Sequence, residues 1–121
     1  MELIQVIKAL GDETRIRILN ILRHSEACVG EIEHLLGIQQ SNASRHLNKL
    51  SNAGMITYQK KAQWVYYQLN EKILTDYPFI KTLLDHELDK IQQYQEDSKR
   101  FRKYKQSGMT CEQLKEKKNC F

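Results

Sequence analysis

The sequence has no long hydrophobic run and few residues that interrupt helices. A membrane-spanning helix needs about 20 consecutive apolar residues, and no stretch of this chain approaches that length. Its start, MELIQVIKALGDE, has neither the basic residues nor the apolar core of a secretory signal. We therefore expect no membrane partner and a cytoplasmic location. With one proline and five glycines in 121 residues, helices should dominate.

Cysteine is also scarce, and the three that occur are Cys28, Cys111 and Cys120. In a reducing compartment these are expected to be free thiols and not a structural disulfide framework. Two of them lie in the polar segment GMTCEQLKEKKNCF, which offers no apolar run to bury them. Exposed thiols are reactive. Their placement therefore indicates a function for the sulfur atoms themselves.

Acidic residues are absent between Glu33 and Glu71, although four basic residues fall in that interval. Residues 99–121 carry eight lysines and arginines against two glutamates, a net charge of +6, while the whole chain carries +4. An uneven distribution of this kind is typical of a surface that binds a polyanion. Nucleic acid is the first candidate.

Hydrophobic periodicity predicts four helices, a hairpin, a long last helix and a tail. The first helix runs to Leu10, the second covers Glu13–Arg23, the third is stopped by Gly37, and the fourth ends at Gly54. The rest comprises two strands, Ile56–Lys60 and Trp64–Leu69, a helix over 76–105, and a flexible, thiol-bearing tail over 106–121. Residues 1–105 thus form one predicted domain.

The third and fourth helices are separated by a short glycine-containing turn, as in a helix-turn-helix. Short polar side chains crowd the start of the fourth helix, where they could reach base edges and phosphates. The basic hairpin that follows could contact neighbouring backbone. The predicted DNA-binding residues are Gln40, Ser41, Asn42, Ser44, Arg45, His46 and Lys49 on the helix, and Lys60 and Lys61 on the hairpin. DNA binding itself should need no cofactor.

The predicted last helix implies a second subunit. A helix of about 30 residues is about 45 Å long, which is more than a chain of this size can cover with its own core. The apolar faces of this helix and of the first are therefore expected to pack against a partner copy.

Three segments, LGDETRIRILNIL, GEIEHLLGIQQSNASRHLNKLSNAGMI and WVYYQL, resemble the ArsR/SmtB family of bacterial winged-helix repressors. The resemblance is continuous from Val6 to Leu69. It implies a mainly α winged helix-turn-helix with a β-hairpin wing, and a homodimer joined through the first and last helices. It also implies that the fourth helix enters the major groove of an imperfectly palindromic operator, and that an effector releases the dimer.

The resemblance also bears on individual residues. Many relatives carry Gly-Arg at the tip of the wing, where this chain has Ala62 and Gln63, so Lys60 and Lys61 are the expected phosphate contacts. Arsenic-sensing relatives often begin the third helix with Cys-Val-Cys, where this chain has Cys28, then valine and Gly30.

The two tail cysteines would restore a set of three thiols: Cys28, Cys111 and Cys120. Trivalent arsenic is soft and prefers thiolate ligands, and three sulfurs satisfy it. The prediction is therefore a repressor of an arsenic-resistance operon, released by arsenite or by a trivalent organoarsenical. An organic arsenical has only two open positions, so two of the thiols would hold it.

Other functions stay open at this stage. Oxidation could join Cys111 to Cys120 as a redox switch, or the thiols could bind zinc, which usually takes four ligands. The acidic residues of the last helix come with only one histidine and are expected to be solvated: Asp85, Glu87, Asp89, Glu96 and Asp97. An enzyme is not expected, because there is no C-x-x-C and no glycine-rich phosphate loop. A purely architectural DNA binder would ignore thiol ligands.

Overall fold

The computed structural model describes residues 2–119, which form a mostly helical domain with one small sheet. Its first half contains helices Glu2–Leu10 (α1), Glu13–Leu22 (α2), Val29–Leu36 (α3) and Gln40–Asn52 (α4), with strand Ala27–Cys28 (β1) between α2 and α3. Strands Ile56–Lys61 (β2) and Trp64–Leu69 (β3) follow. The remainder contains helices Glu71–Asp76 (α5), Pro78–Thr82 (α6), Gln92–Gln106 (α7) and Cys111–Asn119 (α8).

The mainly α winged helix-turn-helix predicted from the sequence is confirmed. Asp12 caps α2 by accepting a hydrogen bond from the Arg15 backbone N–H, and Gly37 ends α3 with φ 67°, a conformation that favours glycine. The core between α2, α3 and α4 is aliphatic, and it includes Ile18, Leu19, Ile32, Leu35, Leu47 and Leu50, all fully buried. None of the helices in residues 2–119 combines the length and apolar character needed to cross a bilayer.

The predicted hairpin is confirmed and forms the wing. β2 and β3 pair antiparallel from Ile56 opposite Leu69 to Lys61 opposite Trp64, leaving Ala62 and Gln63 as the turn. The short strand β1 adds to the other edge of β3, with Cys28 opposite Tyr66, so the sheet order is β1-β3-β2. The residue that begins α3 is therefore bound by backbone pairing to the wing.

The single long helix predicted over 76–105 is wrong. Pro78 starts a new helix, α6, because its ring fits the first turn of a helix but not the interior. A π-helical turn at Leu83–Glu87 and a 3₁₀ turn at Leu88–Lys90 follow, and Ile91 is extended, with φ −115° and ψ 126°. At Ile91 the chain changes direction and α7 begins.

This change of direction lets α7 pack on α2 of the same chain. Phe101 is buried there. Arg17 of α2 donates to both carboxylate oxygens of Asp97 at 2.8 and 3.0 Å, and Asn20 donates to the Tyr94 carbonyl at 3.1 Å. The expectation that Asp97 lies on a solvated face is therefore wrong, because its side chain is fully buried. Most apolar side chains of the predicted last helix are covered within the chain, so their burial does not by itself need a partner: Ile80, Leu84, Leu88, Tyr94 and Phe101.

The segment after α7 differs from the flexible tail that was predicted. Gly108 turns the chain with φ 74°, and α8 begins at Cys111. Thr110 and Gln113 cap this helix reciprocally, since each backbone N–H donates to the side-chain oxygen of the other residue. Cys111 and Leu114 are buried, and α8 packs on α3.

Candidate nucleic-acid interface and cysteine site

The first half of α4 carries a polar, solvent-facing surface, as predicted. Four of the proposed DNA contacts on α4 are exposed: Gln40, Ser41 and Arg45 in its first half, and Lys49 in its last turn. Asn42 and Ser44 are half-buried, and the Arg45 guanidinium donates to the Asn42 side-chain oxygen at 2.7 Å. The first turn of α4 contains no acidic residue. The helix dipole therefore leaves this end attractive to phosphate.

His46 is placed differently from its prediction as a DNA contact. Its side chain is only 3% exposed, and Nδ1 lies 3.2 Å from a guanidinium nitrogen of Arg15. Burial lowers the pKa of His46, and the charges of Arg45, Arg15 and Lys49 lower it further, although Asp12 opposes them. The neutral ring accepts a hydrogen bond from Arg15 and so joins α4 to α2. His46 therefore holds α4 in place from beneath and is not part of its exposed surface.

Arg15 was not identified from the sequence, yet it connects three helices. Its guanidinium donates to the carbonyl oxygens of Ala9 at 2.7 Å and Lys8 at 3.1 Å, which lie at the end of α1. A buried arginine in an alternating Arg-Ile-Arg segment has no sequence signal that distinguishes it from Arg17. Burial raises the pKa of Asp12, but the hydrogen bond from the Arg15 backbone N–H and the nearby positive charges outweigh it, so that this pKa is lowered.

The wing carries the two predicted basic contacts in different settings. Lys60 and Lys61 are both exposed near its tip. Lys61 is also paired with Glu26, with 2.6 Å between nitrogen and oxygen, and its ammonium lies 5.5 Å from the ring centre of Tyr66. At the tip, Ala62 has a φ of 56°, a backbone conformation that residues other than glycine rarely adopt.

Cys28 and Cys111 come together although they are 83 positions apart in the sequence. Cys28 is the N-cap residue of α3, and Cys111 is the first residue of α8. Both side chains are buried, and their sulfurs are joined as a disulfide. The expectation of free thiols is therefore wrong for Cys28 and Cys111, and Cys111 is here paired with Cys28 and not with Cys120, the pair that the redox alternative considered. Cys120, the third predicted ligand, lies outside the described residues.

Glu31 lies beside the cysteines and was missed in the sequence. One of its carboxylate oxygens accepts from the Cys28 backbone N–H at 3.0 Å, and the other accepts from the Tyr104 hydroxyl at 2.5 Å. Burial raises the pKa of Tyr104, and the hydrogen bond to Glu31 raises it further, so the hydroxyl remains a donor. The spacing of Cys28 and Glu31, three residues apart at a helix start, is the signal that could have identified this pair.

One donor atom each of Cys28, Glu31 and Cys111 lies within 4.8 Å of the others. Two sulfurs and a carboxylate form an incomplete set for tetrahedral zinc, which usually takes four ligands. Once the disulfide is reduced, two sulfurs this close together can both bind one soft metal or metalloid atom. The described part of the site thus brings two sulfurs and one carboxylate together.

A cavity of about 590 Å³ lies directly beside the two cysteines. We call it the wing cavity, because it separates the wing from the start of α4. Its lining includes Cys28, Gly30, Ser44, Trp64, Cys111 and Leu114. Lys115 of α8 lies 5.8 Å from the ring centre of Trp64, which links α8 to the wing across the opening.

This geometry can be compared with known proteins. The model of the arsR family of bacterial regulatory proteins matches residues 12–58. The arsenic resistance transcriptional regulator ArsR1 of Pseudomonas putida is 45% identical over 69 residues, which are 56% of this chain and 54% of that protein. The chain thus spans about half the length of ArsR1.

Two solved structures resemble the fold. HlyU from Vibrio cholerae superposes with a TM-score of 0.60 at 31% identity, covering 69% of this chain and 91% of HlyU. The homodimeric winged helix-turn-helix DNA-binding domain Mb0332 from Mycobacterium bovis gives 0.62 at 24% identity, covering 75% of this chain and 85% of that domain. The second likeness concerns the fold alone. The family match and the likeness to HlyU establish that the chain belongs to the arsR family of bacterial regulatory proteins.

Proposed function

We propose that this protein is a cytoplasmic, DNA-binding transcriptional repressor that leaves its operator when a trivalent arsenical binds the reduced thiols of Cys28 and Cys111. The observation that carries the proposal is the meeting of these two sulfurs at the junction of α3 and the wing. The likeness to ArsR1, an arsenic resistance transcriptional regulator, supports the choice of effector.

For DNA binding, α4 enters the major groove and the wing contacts adjacent backbone. The exposed side chains at the start of α4 are of the types that bond to base edges. Lys49 and Lys60 add positive charge on the same two elements. Since much of the affinity comes from phosphate contacts, operator binding should weaken steeply with salt.

The proposed active form is a homodimer, and α1 supports it. Leu3, Ile4 and Ile7 are 43%, 53% and 49% exposed, so α1 presents a row of apolar side chains that its own chain leaves uncovered. Mb0332, which shares the fold, is described as homodimeric. Two-fold symmetry would place the two α4 helices about one turn of DNA apart on an imperfect palindrome.

Capture of the effector is a ligand exchange at arsenic. A thiol reductant first supplies two electrons and two protons to the Cys28–Cys111 disulfide. Each thiol then displaces one hydroxyl from the trivalent arsenic, so two S–As bonds form, two water molecules leave and no oxidation state changes. With arsenite, Cys120 is the proposed third ligand and displaces the last hydroxyl.

The structure suggests how capture reaches the DNA surface. Cys28 pairs with Tyr66 in the wing and also begins α3, which packs on α4. A change in the position of Cys28 is therefore transmitted to both DNA-contacting elements. A coupling of about 1–3 kcal/mol is enough to change operator affinity by an order of magnitude.

The effector is tested by operator-release titrations on protein reduced with a phosphine, which adds no competing thiol. Arsenite and phenylarsenite should release the wild type, whereas Cys28→Ser and Cys111→Ser should bind the operator but need far more arsenical. Cys120→Ser should affect arsenite only. If Cys28→Ser leaves the operator at the same arsenical concentration as the wild type, Cys28 is not a ligand.

The DNA surface is tested separately. Arg45→Ala should weaken specific operator binding by about 1–3 kcal/mol, and Ser44→Ala should weaken it in the same direction. Lys81→Ala, which removes an exposed charge from α6, is the matched control and should change affinity little. Equal affinities for all of these proteins would refute the assignment of α4.

The disulfide itself favours a second candidate, a redox-responsive repressor. Peroxide would take two electrons from the thiols of Cys28 and Cys111, giving the disulfide and two molecules of water. Release by peroxide without arsenical, abolished in Cys111→Ser and retained in Cys120→Ser, would select this candidate.

A further inference from the structure

We propose that the wing cavity is a subsite for the organic group of a thiol-bound arsenical, so that an aryl-substituted trivalent arsenical is a stronger effector than arsenite. This inference rests on the proposed function and specifies its ligand. It stands on the number of sulfurs, the size of the cavity and the residues that form its walls.

The number of sulfurs fits a monosubstituted arsenical. Cys28 and Cys111 are the two sulfurs that the described residues bring into contact. An arsenical that carries one carbon substituent has two exchangeable hydroxyls, and two thiols replace both with the loss of two waters. The arsenic is then fully bonded, whereas arsenite on the same pair keeps a hydroxyl that is still open to exchange.

The size of the cavity fits an aromatic substituent. The wing cavity is partly open to solvent, is lined by both polar and apolar residues, and measures about 590 Å³. It has room for an aromatic ring, since an enclosed cavity of about 150 Å³ already holds benzene. Cys28 and Cys111 form part of its lining, so a substituent on arsenic held by them has this space directly before it.

The walls fit as well. The indole of Trp64, together with Val65 and Leu114, supplies apolar surface, and aromatic rings stack favourably on indole. Gly30 leaves one wall without a side chain: a Cβ placed there would meet only the Cys28 sulfur, at 3.9 Å. The space beside the sulfurs is therefore open at this position.

The position of the cavity explains why an aryl group would be the better inducer. Gln40 and Ser44 of α4 line one side, and Trp64 and Tyr67 of the wing line another. A ring in this space lies between the two DNA-contacting elements, so it can alter their separation directly. An arsenic atom without a substituent acts only through the cysteines that hold it.

The test compares three probes, phenylarsenite, methylarsenite and arsenite, on the reduced full chain. Binding is followed by the fluorescence of Trp64, the only tryptophan, and release by operator titration. We expect phenylarsenite to release the wild type at a concentration about tenfold or more below that of arsenite, a difference of about 1.4 kcal/mol. Methylarsenite should lie between them.

Gly30→Leu places a side chain in the cavity, and Gly30→Ala is its matched control. Gly30→Leu should abolish the preference for phenylarsenite while arsenite release stays within about threefold of the wild type. Gly30→Ala should keep the preference. If Gly30→Leu does not bind the operator, Trp64→Ala takes its place in the test. This variant removes the stacking surface and should lower the preference for phenylarsenite over arsenite. The release by each probe is measured relative to the operator affinity of the same variant without arsenical.

Two failures are distinguishable. If none of the three probes releases the wild type, the proposed function is wrong. If arsenite and phenylarsenite release it equally, or if Gly30→Leu weakens both equally, the thiol site stands and the wing cavity is not a subsite.

Discussion

Gly30 occupies the position at the start of α3 where a cysteine would place a second sulfur beside that of Cys28. A Cβ at this position would lie 3.9 Å from the Cys28 sulfur, and the backbone there does not need a left-handed conformation. We expect Gly30→Cys to supply a third sulfur beside Cys28 and Cys111. Arsenite should then release the operator at a concentration about tenfold lower, whereas phenylarsenite, already satisfied by two thiols, should gain little.

The control for this prediction is Gly30→Ser, which has nearly the same size but no sulfur. Both variants are titrated in the reduced state with arsenite and with phenylarsenite. An equal gain in Gly30→Ser would show that the effect comes from the side chain's bulk or polarity and not from arsenic coordination.

His46 gives the fold a dependence on pH. Burial lowers its pKa below the ordinary value of about 6.5, as burial also does for His24. Below about pH 6.5 these histidines bind protons in the unfolded chain but stay neutral in the folded chain. The free energy of unfolding should therefore be level above about pH 7 and fall as the pH drops through about 6.5 toward the lower folded pKa values.

Urea unfolding between pH 5 and 8 measures this dependence. His46→Gln keeps an oxygen that can accept from Arg15 but cannot be protonated, so its profile should be flatter than that of the wild type. A variant profile as steep as the wild type's would show that His46 does not contribute to it.

Among the elements, α7 and α3 are joined by a buried hydrogen bond from Tyr104 to Glu31 and by a second one from the Arg100 guanidinium to the Leu35 carbonyl oxygen. Tyr104→Phe removes the donor and leaves a buried carboxylate oxygen without its partner, which should lower the free energy of unfolding by about 1–3 kcal/mol. Tyr94→Phe is the control on the same helix, because the Tyr94 hydroxyl makes no hydrogen bond to the described residues. It should cost much less, and equal losses for the two variants would contradict the argument.

The sequence predicts the elements whose ends carry their own local signals. Asp12 caps α2 with its side chain, and Gly37 ends α3 through its left-handed backbone conformation. The two strands of the wing are joined by a two-residue turn. The helix over 76–105 fails because the break at Ile91 leaves the helical spacing of apolar residues unchanged on both sides. Which surface those residues cover is decided by long-range packing, such as that of Phe101 on α2.

The candidate site divides in the same way. The polar face of α4 and the importance of Cys28 and Cys111 follow from residue type and position in the chain. Their pairing does not, because it depends on how α8 lies on α3. The burial of His46 was missed because it stands in a polar stretch of the sequence next to Arg45, and only the position of α2 shows that its ring faces Arg15.

For the whole molecule, the remaining question is which surface joins two copies. The apolar side chains of α7 are covered within the chain, so α1 is the main candidate, with Leu3, Ile4 and Ile7 exposed on it. Ile4→Lys puts a charge in the middle of this row. We expect it to shift the chain toward a monomer in sedimentation experiments and to weaken operator binding sharply, since one subunit contacts only one half-site.

Two further variants complete the comparison. Thr75→Lys adds the same charge at an exposed position of α5 and should leave both sedimentation and operator affinity close to the wild type. Ile91→Lys tests the other predicted half of the interface, because Ile91 is 49% exposed between the 3₁₀ turn and α7. If Ile91→Lys separates the subunits and Ile4→Lys does not, the interface lies at the break before α7, and the spacing of the two α4 helices is set by that segment and not by α1.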